Sequence, residues 1–268
     1  MLTFNRLNQG NFHNMNTVSN IGELRAALTK RQGKSIGFIP TMGHLHAGHL
    51  SLCERSTNEN EVTVVSIFVN PTQFNQTSDF EFYPRTLDDD IHLLEKHNVD
   101  VLFIPETSSL YPDDYQIQLS ETIISKELEG EFRPGHFNGM LTIVLKLFNL
   151  VKPHRAYFGE KDYQQLLLVK KMVDALFLPI DIRACTTKRA LDGLALSSRN
   201  SRLKPDERIK AALFPELLQS ELSLADIKAQ LLAHGFNVDY IVEQWGRRLG
   251  AVSLGHVRLI DNFPLLPT

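Results

Sequence analysis

Strongly apolar strand-like runs alternating with helix-patterned stretches constrain this chain more than any other feature. Ile36 to Pro40, Val62 to Val69 and Val101 to Ile104 are short and apolar on successive residues. A strand apolar on both faces must be covered on both, which a parallel sheet with crossover helices does. Helical patterns separate the runs. Asn20 with Glu23 has the spacing of an N-cap and its N3 partner, and Leu24, Ala27 and Leu28 form an apolar stripe to about Arg31, ended by Gly33. A second helix opens near Gly48, and a third spans Leu87 to His97. Beyond the middle, a helix from Phe137 to Val151, a strand from Ala156 to Phe158, a helix from Tyr163 to Phe177 and a strand from Asp181 to Thr186 continue the alternation. The class is α/β. After Thr187 the pattern changes to a polar loop (Lys188 to Asn200), helical stretches at Asp206 to Ser220 and Ser223 to Leu232, and strand-like runs at Val238 to Val242 and Val257 to Leu259. Three regions are therefore expected: a loose extension over 1–15, a main domain over 16–187 and a smaller α+β domain over 188–268. The extension is rich in asparagine (Asn5, Asn8, Asn11, Asn14), and Met15 could serve as an alternative start.

Composition excludes several classes. With 28 Lys and Arg against 31 Asp and Glu, the net charge of -3 lacks the basic excess of a general nucleic-acid binder. Cys53 and Cys185 form no CxxC pair, so neither a disulfide framework nor a cysteine-rich zinc site is indicated, and a reducing cytoplasm fits. The longest apolar run, Met140 to Val151, is broken by Thr142, Lys146 and Asn149 and falls short of the ~18 residues that suggest a membrane span. The first fourteen residues have no apolar core of a secretory signal.

Chemistry concentrates in three segments. Pro40-Thr41-Met42-Gly43-His44-Leu45-His46-Ala47-Gly48-His49 runs from a core strand into a helix. A helix N-terminus offers unpaired amides and a positive dipole end, and glycines allow close approach of a phosphate. The rival readings are that the histidines only cap the helix, or that His44, His46 and His49 bind a metal; the lack of a nearby cysteine or acid weighs against metal. Phe158-Gly159-Glu160-Lys161-Asp162-Tyr163-Gln164-Gln165 again follows a strand into a helix, where open α/β sheets bind ligands. Lys161 suits a phosphate; Asp162 suits ribose hydroxyls or simply a cap. Leu196-Ser197-Ser198-Arg199-Asn200 supplies hydroxyls and a guanidinium fit for a polyphosphate.

Together with Ser66 to Phe74, Tyr83-Pro84-Arg85, Leu128-Glu129-Gly130, Arg133 to Phe137, Asp192 to Asn200 and Val257 to Asn262, these segments resemble the pantothenate synthetase family, in order and at matching spacing. The resemblance is dense from Asn16 to Leu203 and thins beyond, over a stretch shorter than the family's usual C-terminal domain. It implies a Rossmann-like sheet and a cytoplasmic, homodimeric ligase of the HIGH-motif nucleotidyltransferase superfamily. Such an enzyme joins pantoate to β-alanine with ATP and magnesium, through a pantoyl adenylate, and releases AMP and pyrophosphate. Carried over residue by residue, His46, His49, Lys161 and Arg199 are catalytic and neutralise charge on the phosphates. Met42, Gly43, Gly159, Asp162, Thr187, Leu196, Ser197 and Ser198 complete the ATP site. Gln73, Gln165 and Asn70, with Pro40 and Met42, hold pantoate, and Asp89 and Asp90 associate with magnesium. Acids at the start of the helix after Thr86 are also what its dipole favours. Two departures stand out: Ala190 replaces an acid after Arg189, which would loosen the loop, and Leu196 replaces a methionine with little change in volume. Competing classes are a dinucleotide-forming adenylyltransferase, a class I aminoacyl-tRNA synthetase fragment, against which the lack of a KMSKS sequence counts, and a non-catalytic nucleotide or metal sensor.

Overall fold

A computed structural model describes residues 15–75 and 77–265. Six parallel strands form the large sheet: β1 (Asn16–Val18), β2 (Ile36–Thr41), β3 (Val62–Ile67), β4 (Val101–Phe103), β5 (Arg155–Gly159) and β6 (Asp181–Cys185), in the spatial order β1-β4-β3-β2-β5-β6. Alternate residues divide between two cores, as a two-residue period demands. Phe38, Val64, Val101, Phe103, Ala156 and Phe158 face the helix His136–Val151 and its neighbours. Ile39, Val65, Leu102 and Tyr157 face the opposite side with Leu52, Cys53 and Leu94. Phe38 and Ile39 are fully buried, which explains why the sequence shows no polar alternation there.

The first helix, Ile21–Thr29, is capped as its sequence predicts, with the Glu23 N–H donating to Asn20 Oδ1 at 2.9 Å. Strand β1 was not expected: only three residues long, it carries too few side chains to show a period. The expectation of one helix over Asp206 to Ser220 is corrected to two, Pro205–Lys210 and Leu213–Gln219. Pro215 has no N–H to donate to Ala211 and its ring would meet that carbonyl, so a continuous helix cannot form.

The remaining strands, β7 (Asn237–Gln244), β8 (Arg247–Leu254) and β9 (Val257–Pro264), make a separate antiparallel sheet. Sequence reading missed β8, because Arg247, Arg248 and Gly250 interrupt its apolar run. Trp245 and Gly246, at φ 53° and 71°, make the tight β7–β8 turn, which requires left-handed backbone at both positions. This sheet has its own core around Phe214, Ile227, Leu231, Phe236 and Val252. Arg189 bridges to it through a bidentate pair with Asp261, at 2.6 and 2.9 Å. The loop expected to loosen at Ala190 is closed by its backbone, Ala190 N–H to Leu194 O at 2.9 Å and Gly193 N–H to Ala190 O at 3.0 Å.

The expected extension over 1–14 lies outside the described residues, whereas Met15 is buried in the second core and so belongs to the folded body. No helix among the described residues is long and apolar enough to cross a membrane.

Candidate active site

The chain builds β2, β3 and β4 to one side of the sheet, then β5 and β6 to the other, so the order reverses between β2 and β5. Open parallel sheets bind ligands at the carboxyl ends of strands flanking such a point. A cavity of about 230 Å³ sits there, lined by Pro40, Thr41 and Met42 from the end of β2 and by Phe158 and Gly159 from β5. His46, His49, Asn70, Gln73, Lys161, Asp162, Gln165, Thr187, Leu196, Ser197, Ser198 and Arg199 complete its wall. Three sequence segments far apart in the chain thus meet in one place.

The helix Ala47–Glu59 begins at the cavity, and His46 is its N-cap. His46 Nδ1 accepts from the Gly48 N–H at 3.1 Å, and His49 Nδ1 accepts from the His46 N–H at 3.4 Å. A Cβ at residue 48 would lie 2.8 Å from the His46 ring, so only glycine fits beneath it. Burial, with Lys161 and His44 nearby, pushes His46 down to about 4; burial, with His46 and Lys161, pushes His49 down to about 3. Both imidazoles are therefore neutral at pH 7, and because each Nδ1 accepts, each ring proton sits on Nε2. The expected neutralisation of phosphate charge thereby takes the form of hydrogen-bond donation from fixed Nε2–H groups. The capping and functional readings of these histidines also cease to compete, since one nitrogen caps while the other stays free to donate.

Lys161 and Asp162 stand in the turn after β5, with Nζ 3.7 Å from Oδ2. Opposite, Ser197 caps the short 3₁₀ turn Ser198–Arg202, and Ser198 Oγ donates to His44 O at 3.1 Å, joining this turn to the histidine loop. Arg199 is less free than its sequence position implied. Its Nη2 pairs with Asp79 Oδ2 at 2.8 Å, and Arg202 holds the other oxygen at 2.8 Å. Burial pushes the Asp79 carboxyl up, but these arginines outweigh it and hold it below the usual range.

On the other flank Gln73 and Gln165 reach the cavity. Gln73 Oε1 accepts from Asn70 Nδ2 at 3.1 Å and its Nε2 meets Met42 Sδ, a weak acceptor, at 3.0 Å. Gln165 has no hydrogen-bond partner among the described residues, whereas its neighbour Gln164 is buried and spends its amide on Glu129 N–H, Ile124 O and Glu127 O. Asn70 is fully buried and all its capacity is used: besides Gln73 it donates to Gly139 O and accepts from Tyr111 and Thr72 hydroxyls. Its side chain thus supports Gln73 at the wall of the cavity. Gly139 allows this, because a Cβ there would lie 2.3 Å from Thr72 O.

The magnesium pair separates. Asp90 is 2% exposed, and its oxygens accept the His44 and Leu45 N–H groups at 2.8 Å each, so it holds the histidine loop in shape. Asp89 is exposed on the first turn of the helix Leu87–Lys96. Among the described residues no three His, Cys, Asp or Glu side chains are grouped to hold a metal; with Asp90 committed to backbone amides, this pair does not fit a resident ion.

Sequence reasoning quoted Glu129, Arg133, His136 and Asn262 as part of the resemblance but assigned them nothing. Each is buried or half-buried beside the cavity. The return of the resemblance at 257–262, after a diverging stretch, was the signal that could have marked Asn262.

The family model for pantoate-beta-alanine ligase matches residues 15–264. The pantothenate synthetase of Legionella pneumophila (strain Corby) is 51% identical over 254 residues, covering 95% of this chain and 99% of that protein. That of Coxiella burnetii (strain Dugway 5J108-111) is 53% identical over 230 residues, covering 86% and 89%. The crystal structure of the pantoate-beta-alanine ligase from Francisella tularensis, complexed with beta-gamma ATP and beta-alanine, superposes with a TM-score of 0.89 at 41% identity, covering 94% of this chain and 98% of that one. With its sheet order, its cavity at the switch point and these matches along nearly its whole length, the chain belongs to the pantoate-beta-alanine ligase family.

Proposed function

We propose that this chain condenses pantoate with β-alanine at the expense of ATP, through a pantoyl adenylate. The observation that carries the reading is a single cavity with phosphate-type donors on one flank and neutral amides on the other. A pantoate carboxylate oxygen attacks the α-phosphorus, the new O–P bond forms, and the bond to pyrophosphate breaks. Charge grows on the phosphoryl oxygens, where the Nε2–H groups of His46 and His49 and the ammonium of Lys161 donate. Ser197, Ser198 and Arg199 close on the polyphosphate, with Gly43, Gly159 and Asp162 along the nucleotide and Thr187 and Leu196 beside adenine. Gln73 and Gln165 orient pantoate, with Pro40 and Met42 as its apolar floor. A neutral amide can donate to one oxygen and accept from another without a full charge that would stabilise the free carboxylate and blunt its nucleophilicity. The β-alanine amine then attacks the acyl carbon, and AMP departs as the C–N bond forms. Magnesium enters with ATP as the counter-ion of its phosphates and lowers their charge; no step here is routed through Asp89 or Asp90.

Residues 16–187 serve as the nucleotide- and pantoate-binding part and 188–268 as the part that closes over ATP, with a homodimer as the assembly. The unpaired, buried Cys53 and Cys185 support a reducing compartment such as the cytoplasm. The test is exchange of labelled pyrophosphate into ATP. It should require pantoate and not β-alanine; exchange driven by a nucleotide in place of pantoate would instead make the chain a dinucleotide-forming enzyme.

A further inference from the structure

Strand β9 passes beside the cavity with Arg258, Ile260 and Asn262 on one face, while Val257 and Leu259 point into the small sheet's own core. Asn262 is 3% exposed, and its Nδ2 donates to the backbone oxygens of Glu160 and Lys161, both at 2.9 Å. Its Oδ1 accepts from Arg247 at 2.6 Å, and the same guanidinium holds Glu160 Oε2 at 2.9 Å. The turn that carries Lys161 is therefore gripped by residues far along the chain.

Four residues earlier, Arg258 takes both oxygens of Glu129, at 2.6 and 2.8 Å, while its Nε holds Asp239. Tyr240 also donates to Glu129, at 2.8 Å. Glu129 lies 3.7 Å from Arg133, which donates to His136 Nε2 at 3.1 Å; His136 Nδ1–H donates to Gln73 O at 2.8 Å. Burial and the neighbouring Arg133 charge push His136 down to about 3, so its one ring proton sits on Nδ1, as this direction requires. The two chains of contact end on the backbone of the two residues assigned above to different substrates.

We infer that β9 is a positioning strand for both halves of the site: Asn262 sets the reach of Lys161 toward ATP, and Arg258, through Glu129, Arg133 and His136, sets Gln73 toward pantoate. The inference rests on the reading that Lys161 meets ATP and Gln73 meets pantoate. The small sheet has its own apolar core apart from these polar contacts. Neither residue lines the cavity between β2 and β5, so each is assigned a role through another residue.

The test uses the full chain with Asn262→Ala, Arg258→Met and Arg258→Lys, each checked for folding by the fluorescence of Trp245, the chain's single tryptophan. In pyrophosphate exchange, Asn262→Ala should lower kcat about tenfold with the pantoate KM within about twofold of wild type. Arg258→Met should raise the pantoate KM about fivefold with the ATP KM within about twofold, and Arg258→Lys should recover part of that loss. On a Lys161→Ala background, Asn262→Ala should cost less than about twofold more, because the group it positions is gone. Should Asn262→Ala not fold, Asn262→Ser, which keeps one donor, carries the same comparison. An Asn262→Ala that leaves kcat unchanged or raises the pantoate KM tenfold, an Arg258→Met that leaves the pantoate KM unchanged or raises the ATP KM equally, or an Asn262→Ala cost unchanged on the Lys161→Ala background would overturn the inference while wild-type exchange stands. A wild-type chain without pantoate-dependent exchange would overturn the functional reading itself, and this inference with it.

Discussion

Replacing Asn70 separates support of the pocket from contact with the substrate. The side chain is fully buried and makes four hydrogen bonds: to Gln73 Oε1 and Gly139 O, both at 3.1 Å, and from Tyr111 at 2.8 Å and Thr72 at 3.0 Å. In Asn70→Ala the Tyr111 and Thr72 hydroxyls keep only each other, at 3.2 Å, and Gln73 Oε1 loses its donor. Two or three buried groups left short of a partner, at about 1 kcal/mol or more each, give a loss of roughly 3 kcal/mol. For a chain of this size that lowers Tm by about 6 to 12 °C. The measurement is thermal unfolding without any substrate, alongside the KM for pantoate in pyrophosphate exchange, which should rise about tenfold as Gln73 loses its anchor. Asn70→Asp, nearly isosteric, should be no milder, because its carboxylate would face the Gln73 and Gly139 oxygens. A raised pantoate KM with an unchanged Tm would refute the reasoning and return Asn70 to the substrate.

Further outcomes follow from the same geometry. With His46 held at about 4 and His49 at about 3, kcat/KM for ATP should stay level down to about pH 5. Activity that falls as pH rises through about 6.5 would show imidazolium ions instead. His49→Ala should cut adenylate formation by the roughly 3 kcal/mol of a preorganised donor, far more than His44→Ala; equal small losses would contradict the assigned roles. Gln165→Leu should reduce pantoate-dependent exchange at least about tenfold and leave ATP binding intact, whereas Gln164→Leu should lower Tm; the reverse pattern would exchange their roles. Burial pushes Glu129 up, but Arg258, then Arg133 and Tyr240, hold it at about 2 against an ordinary 4.5. Its folded value is depressed, so its contribution, about 3 kcal/mol, is present above pH 4.5 and lost as pH falls toward 2. Urea midpoints of Glu129→Gln should be lower at neutral pH and flatter across that window; a slope matching wild type would contradict the pairing.

What could be read from the sequence depended on how local its cause was. The strands β2 and β3, the Asn20 cap and the helix after His46 are written in contiguous residues, and the structure has them. Strand β8 escaped because Arg247, Arg248 and Gly250 interrupt its apolar run, and its central place between β7 and β9 is set by distant pairing. The phosphate-type segments were visible because strand-to-helix turns with glycine and histidine carry their own rationale. The hydrogen bonds of Asn70 and Asp90 were not legible in the sequence, for one shared reason. A polar residue beside a site is the same letter whether it faces the ligand or holds a loop, and only the partners of its buried atoms decide. The Arg258–Glu129–Arg133–His136 series could not be read at all, since it joins residues up to 129 positions apart.

The proposed reaction turns on pantoate's own carboxylate attacking the α-phosphorus. Pantoate labelled with ¹⁸O in its carboxylate, turned over with ATP, magnesium and β-alanine, tests this most directly by mass spectrometry of the products. One labelled oxygen should appear in AMP for each pantothenate formed, because the bridging oxygen leaves with the adenylate. Label in phosphate with ADP as co-product, or AMP carrying none, would contradict it.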